Sequence, residues 1–154
     1  MSRQPPSHRS DYLREIPLGT RWDDNDIYGH MNNTVHYRLF DTAVNGFLIA
    51  ECGFCPRSSD IIGIVAESGC RYFAELHFPG RVIAGLRVGH LGRTSVRYEI
   101  ALFADDALQA AAEGFFVHVF VDRFDRRPRS LPESLRASLA KLTRGGPAKR
   151  AQTN

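Results

Sequence analysis

Residues 33–52 read NTVHYRLFDTAVNGFLIAEC. Val35, Leu39, Val44 and Leu48, with Phe40, Ala43 and Phe47, recur at three- and four-residue spacing. That period predicts one amphipathic α-helix with a broad apolar stripe. Gly46 inside it costs about 1 kcal/mol relative to alanine, so packing has to sustain the helix. Gly53 closes it as a C-terminal cap. In front of the helix stands DDNDIYGHMNN (23–33), three acids, a glycine, a histidine and paired asparagines in one short loop.

Beyond residue 60 the period changes from helical to alternating. DIIGIVAESGCRYFAEL (60–76) predicts a long strand bent at Gly69. RVIAGLRVGHL (81–91), SVRYEIALF (95–103) and LQAAAEGFFVHVFVD (108–122) predict three more, separated by turn signals. REIPLGTRW (14–22) supplies a first strand, with Pro17 suited to an edge. PESLRASLAKL (132–142) predicts a short helix with Pro132 at its first position. Short links require antiparallel neighbours. The expected class is therefore α+β: a long central helix wrapped by a curved antiparallel sheet of about five strands. The 108–122 strand is apolar on both faces, and the face away from the helix calls for self-association as its cover. One domain is expected over 13–142, with a flexible arm at 1–12 and a flexible tail at 143–154.

Composition narrows the function classes. The 154 residues are 43% hydrophobic and 24% charged, as in a globular domain that can bury a core. No apolar run approaches the roughly 20 residues that span a bilayer, and MSRQPPSHRSDYLRE has no apolar stretch of a secretory signal. Cys52, Cys55 and Cys70 are expected as reduced thiols, and the chain reads as cytoplasmic. The net charge of +3 is scattered, with no basic stripe interleaved with aromatics, which argues against nucleic acid. It suits a few arginines on the phosphates of a small ligand.

Capping explains one asparagine of the 23–33 loop and one aspartate, not the whole cluster. A helix N-terminus offers unpaired amides and a positive partial charge, which a developing oxyanion needs. Gly29 admits close approach to the backbone. A carboxylate held beside those amides would act as nucleophile or as general base toward water. The loop thus contains both parts required for attack on an acyl carbonyl.

The segment RWDDNDIYGHMNNTVHYRLFDTA (21–43) resembles the signature of hotdog-fold thioesterases of the 4-hydroxybenzoyl-CoA thioesterase-like family. VAESGCRYFAEL (65–76), VGHLGRTSVRYEIALF (88–103) and AEGFFVHVFVDRFDRRPRSLPESLR (112–136) follow in the family's order. The resemblance implies an acyl-CoA thioesterase with sites at a dimer interface, as a homodimer or homotetramer. It places the catalytic carboxylate at Asp26 and assigns Asp24 a supporting position. It puts the amides around Gly29, His30 and Met31 at the thioester oxygen, with His30 and Asn32 shaping that turn or touching the substrate. It suggests CoA contacts from Arg93, Thr94 and Ser95, with Arg71 and Arg97 further phosphate candidates; Tyr37 would line the pocket, and Glu67 and Ser68 lie on the strand expected to face the partner's cluster, where a second carboxylate could orient water. Coenzyme A enters as part of the substrate, and no cofactor or metal is expected. An acyl-carrier-protein thioesterase and a non-catalytic acyl-CoA-binding protein remain the rival readings.

Other groupings carry less. CGFC (52–55) ends a helix, so no helix dipole activates its first thiol. Asp26, His30 and His36 do not converge as metal ligands if the helix begins at Asn32. His118, within an aromatic strand, is expected as a hydrogen-bonded core residue.

Overall fold

A computed structural model describes residues 4–143. The elements are β1 (Arg14–Leu18), α1 (Asn33–Glu51), β2 (Ile61–Tyr72), β3 (Val82–Leu91), β4 (Ser95–Ala104), β5 (Ala112–Asp122) and α2 (Glu133–Ala140). The strands form one five-stranded antiparallel sheet in the order β1-β3-β4-β5-β2. Helix α1 packs on β1, β3, β4 and β5. This is the hotdog arrangement the sequence predicts.

The expected stripe is the one buried. Leu39, Phe40, Ala43, Val44, Phe47 and Leu48 face Val82, Ala84, Leu86, Val96, Tyr98, Ile100, Leu102, Phe116 and Phe120 in one core. Each large side chain there contributes about 1.5–3 kcal/mol by leaving water. Asn32 caps the helix, its side-chain oxygen accepting Thr34 N–H at 3.0 Å. Gly53 ends it at φ 64°, and Phe54 N–H turns back to the Leu48 carbonyl at 3.1 Å. Pro132 stands one residue before α2, at its N-cap.

Three expectations are corrected. The bend in β2 lies at the bulge between Val65 and Glu67, not at Gly69, because Ala66 is the residue without a partner on β5. β5 begins at Ala112, not at 108, because the preceding residues pair with the N-terminal segment. There Arg9 N–H donates to the Leu108 carbonyl at 2.7 Å and Ala110 N–H to the Ser7 carbonyl at 3.0 Å. The described part of the 1–12 arm is therefore docked. Tyr12 is buried with Ile83, Ala101, Phe103 and Ala110 on the sheet face opposite α1. The guanidinium of Arg97 lies 3.8 Å over the Phe115 ring on the same face. The chain thus covers part of that face itself. Of the expected 143–154 tail, all but Thr143 lies outside the described residues.

Candidate active site

Asp24 and Asp26 are two residues apart and differently used. Asp24 is fully buried. Its carboxylate accepts the Arg21 amide at 2.7 Å and the guanidinium of Arg38, on α1, at 2.6 Å. Its backbone carbonyl accepts Asn32 N–H at 2.8 Å. Burial pushes its carboxyl upward, but the Arg21 amide and the Arg38 cation outweigh that and hold it below the usual range. Asp24 therefore clamps the loop to the helix.

Asp26 is half-buried and sits in the following turn. Its Oδ1 accepts Tyr28 N–H at 2.8 Å and His30 N–H at 3.3 Å. Its own N–H donates to the His30 carbonyl at 2.7 Å, and Gly29 N–H donates to its carbonyl at 3.1 Å. Gly29 has φ 80°, a conformation that favours glycine. An isolated bridge between Asn25 and Met31 closes this small hairpin. One carboxylate oxygen is thus fixed by amides, while Oδ2 makes no hydrogen bond or ion pair to another described residue.

The amides expected at the oxyanion already have hydrogen-bond partners. Gly29 and His30 N–H are turned onto Asp26, and Met31 N–H donates to the Leu76 carbonyl at 2.7 Å. Asn32 N–H is taken by Asp24. At the helix start, the amide of Asn33, the first residue of α1, makes no hydrogen bond within the described residues. The sequence carried that signal, since the first N–H groups of any α-helix lack an intrahelical partner. Met31 itself is buried in the core, and His30 Nε2 lies 3.0 Å from the Glu75 carboxylate.

Around Asn33 the protein gathers aromatic and small polar side chains. Tyr72, at the end of β2, donates its hydroxyl to the Asn33 carbonyl at 2.9 Å. Burial and the neighbouring Cys70 push its phenol up to about 12, so it keeps its proton. Tyr37 stacks on Phe116 with centroids 6.5 Å apart. Ser68 pairs with Phe116 across the β2–β5 ladder and lies on the same sheet face. Tyr37 and Ser68 therefore stand on the helix side, at the end of the sheet that carries the Asp26 loop.

Other expected substrate residues do not gather there. Glu67 pairs with Val117 and shares the opposite sheet face. Arg71 pairs with Glu113 on that face and bonds its carboxylate at 3.2 Å. Arg93 and Thr94 lie in the β3–β4 turn, against Leu131 and Phe120, and Ser95 opens β4, at the far end of the sheet. No group of three or more histidine, cysteine or acidic side chains gathers as metal ligands among the described residues. His118 is buried, but its Nδ1 has no partner among the described residues, and neither has the hydroxyl of Tyr98 beside it. The expectation of a hydrogen-bonded His118 thus fails at Nδ1, because the inner sheet face around it is apolar.

Comparison with known proteins points one way. Residues 20–139 match the family model described as the thioesterase-like superfamily. The crystal structure of the PA5185 protein from Pseudomonas aeruginosa PAO1 is 48% identical, with TM-score 0.89, over 92% of this chain and 99% of that one. A Thermus thermophilus thioesterase complexed with coenzyme A and zinc is 26% identical, with TM-score 0.70, over 83% and 98% of the two chains. A 1,4-dihydroxy-2-naphthoyl-CoA thioesterase from Synechocystis, 14% identical with TM-score 0.75 over 83% and 96%, shares the fold. Curated proteins give no match. No helix among the described residues is long and apolar enough to cross a membrane. With a helix-start amide left open seven residues after an amide-oriented aspartate, and a family match over residues 20–139, the chain belongs to the thioesterase-like superfamily and has its hotdog fold.

Proposed function

We propose that the protein hydrolyses acyl-CoA thioesters to a carboxylic acid and free CoA. The observation that carries this reading is the amide-held Asp26 carboxylate, in the hairpin closed by Asn25 and Met31, followed two residues beyond that hairpin by the open Asn33 amide. The thioester oxygen is received by Asn33 N–H, where the helix N-terminus adds its positive partial charge. Asp26 either attacks the carbonyl carbon or removes a proton from the water that attacks it. The tetrahedral intermediate then collapses, the C–S bond breaks and CoA leaves as the thiolate. On the first route, water hydrolyses the acyl-aspartyl anhydride in a second step. Coenzyme A in the Thermus relative supports a CoA thioester as substrate.

The site is completed by a second copy. The sheet has two edges. β1 is five residues long, with Pro17 and the charged Arg14 and Glu15, features that discourage pairing. β2 is twelve residues long, and Ile64 and Val65 on it are 40% and 45% exposed. Such an edge is a template for pairing. Two-fold pairing of β2 with its copy would be antiparallel. It brings the β3–β4 turn of one protomer to the end of the other that holds Asp26. Arg93, Thr94 and Ser95 then approach the partner's site as contacts for the CoA phosphates, with Arg93 the cation.

A thiol-trapping assay across short, long and aromatic acyl-CoAs, repeated with acyl-carrier-protein thioesters, tests the reading. CoA release with at least one acyl-CoA is expected. Binding without thiol release would make the protein an acyl-CoA-binding protein, and release from carrier substrates alone would reassign the substrate.

A further inference from the structure

We propose that His36 is a positioning residue for the oxyanion amide, a role that rests on the function proposed above. The Asn33 N–H and the Asn32 carbonyl belong to one peptide unit. His36 Nδ1 lies 3.3 Å from that carbonyl. A carbonyl only accepts, so the imidazole donates from Nδ1. Burial pushes the ring's pKa down, against the opposing hydrogen bonds to the Asn32 and Asn33 backbone.

The surroundings fix the ring. His36 is 3% exposed and stands edge-on to Tyr72, with centroids 4.8 Å apart and planes at 86°. The Tyr72 hydroxyl holds the next carbonyl, that of Asn33, at 2.9 Å. The two carbonyls that flank Asn33 N–H in the chain are thus each held by a side chain, and the two side chains brace each other. Val35 N–H also donates to the Asn32 carbonyl at 2.9 Å. A carbonyl that accepts hydrogen bonds makes the N–H of its own peptide a better donor. Position 36 lies on the buried side of the helix, where an apolar residue would pack without desolvating a polar ring. Its imidazole is placed to aim and polarise the open amide, and it does not itself touch the substrate.

The test compares His36→Leu, His36→Asn and His36→Gln in the full-length protein, using the acyl-CoA that wild type hydrolyses best. Asparagine puts a donor where Nδ1 stands; glutamine puts one near Nε2; leucine has none. His36→Leu should lower kcat by about tenfold, less than loss of an oxyanion donor itself, with KM and melting temperature little changed. His36→Asn should recover most of kcat, and His36→Gln should not. Wild-type kcat in His36→Leu, or equal kcat in the asparagine and glutamine variants, would overturn the proposal. The latter comparison stands even where leucine prevents folding. Asp26→Asn run alongside separates the two levels. If it is inactive while the His36 variants are unaffected, only the positioning role fails. A wild type that releases no thiol from any thioester overturns both.

Discussion

The carboxylate of Asp24, fully buried, lies 2.6 Å from the guanidinium of Arg38 on the facing turn of α1. This ion pair anchors the loop that presents Asp26. Arg38 is 39% exposed, so solvent screens part of the attraction. The buried oxygens also depend on the Arg21 amide. Asp24→Ala should destabilise the fold by about 2–4 kcal/mol, since it strands Arg38 and leaves the Arg21 N–H without its acceptor. Denaturant unfolding measures this. The folded Asp24 pKa is lowered, so its stabilisation is present above the unfolded carboxylate value near 4 and is lost as pH falls through the folded value. The variant should lack that acid-side loss.

His118 predicts a second pH effect, in the histidine range. Burial lowers its pKa, with nearby Asp41 opposing. A lowered histidine binds fewer protons folded than unfolded, so stability is full above about 6.5 and falls as pH drops toward the folded value. His36 has the same sign. His118→Phe should flatten the dependence without abolishing it. Its cost at neutral pH should be small, because Nδ1 has no partner to lose among the described residues. Melting temperatures from pH 8 to pH 5 read both effects.

Gly46 reports on the outer side of α1. It is exposed, and a Cβ there would meet nothing within 4 Å of the chain. On a free helix surface Gly46→Ala should therefore stabilise by roughly 1 kcal/mol. If a second copy packs closely on this helix, the same change should instead weaken association. Melting temperature measured across a dilution series separates these outcomes.

The β2 edge gives a further variant. Val65, paired with His118 on the open β2 edge, is 45% exposed. Val65→Lys should shift the protein toward monomer, as seen by sedimentation, and activity should fall with the loss of the partner's turn. A monomeric wild type with full activity would contradict the shared site.

The helix and the strands were legible in sequence because period and turn residues are local. Val35 to Leu48 could occupy only one face of a helix. The β2 bulge at Ala66 was not legible, since it depends on how β2 registers against Val117 and His118. Nor did the D-x-D spacing show which aspartate would be buried. That is decided by Arg38, fourteen residues further on. The docked arm escaped notice because Tyr12 is its single large apolar anchor, and its cover lies on β3 and β4. Which amides of the loop stay open is not readable from sequence, because Leu76, far along the chain, takes the Met31 N–H.

Asp26→Asn tests the central claim most directly, read as steady-state hydrolysis of the best acyl-CoA. The substitution keeps Oδ1 available to the Tyr28 and His30 amides, so fold and association should persist. Loss of the charged oxygen should lower kcat by at least about 10²-fold. Hydrolysis at the wild-type rate by a folded Asp26→Asn protein would contradict the account.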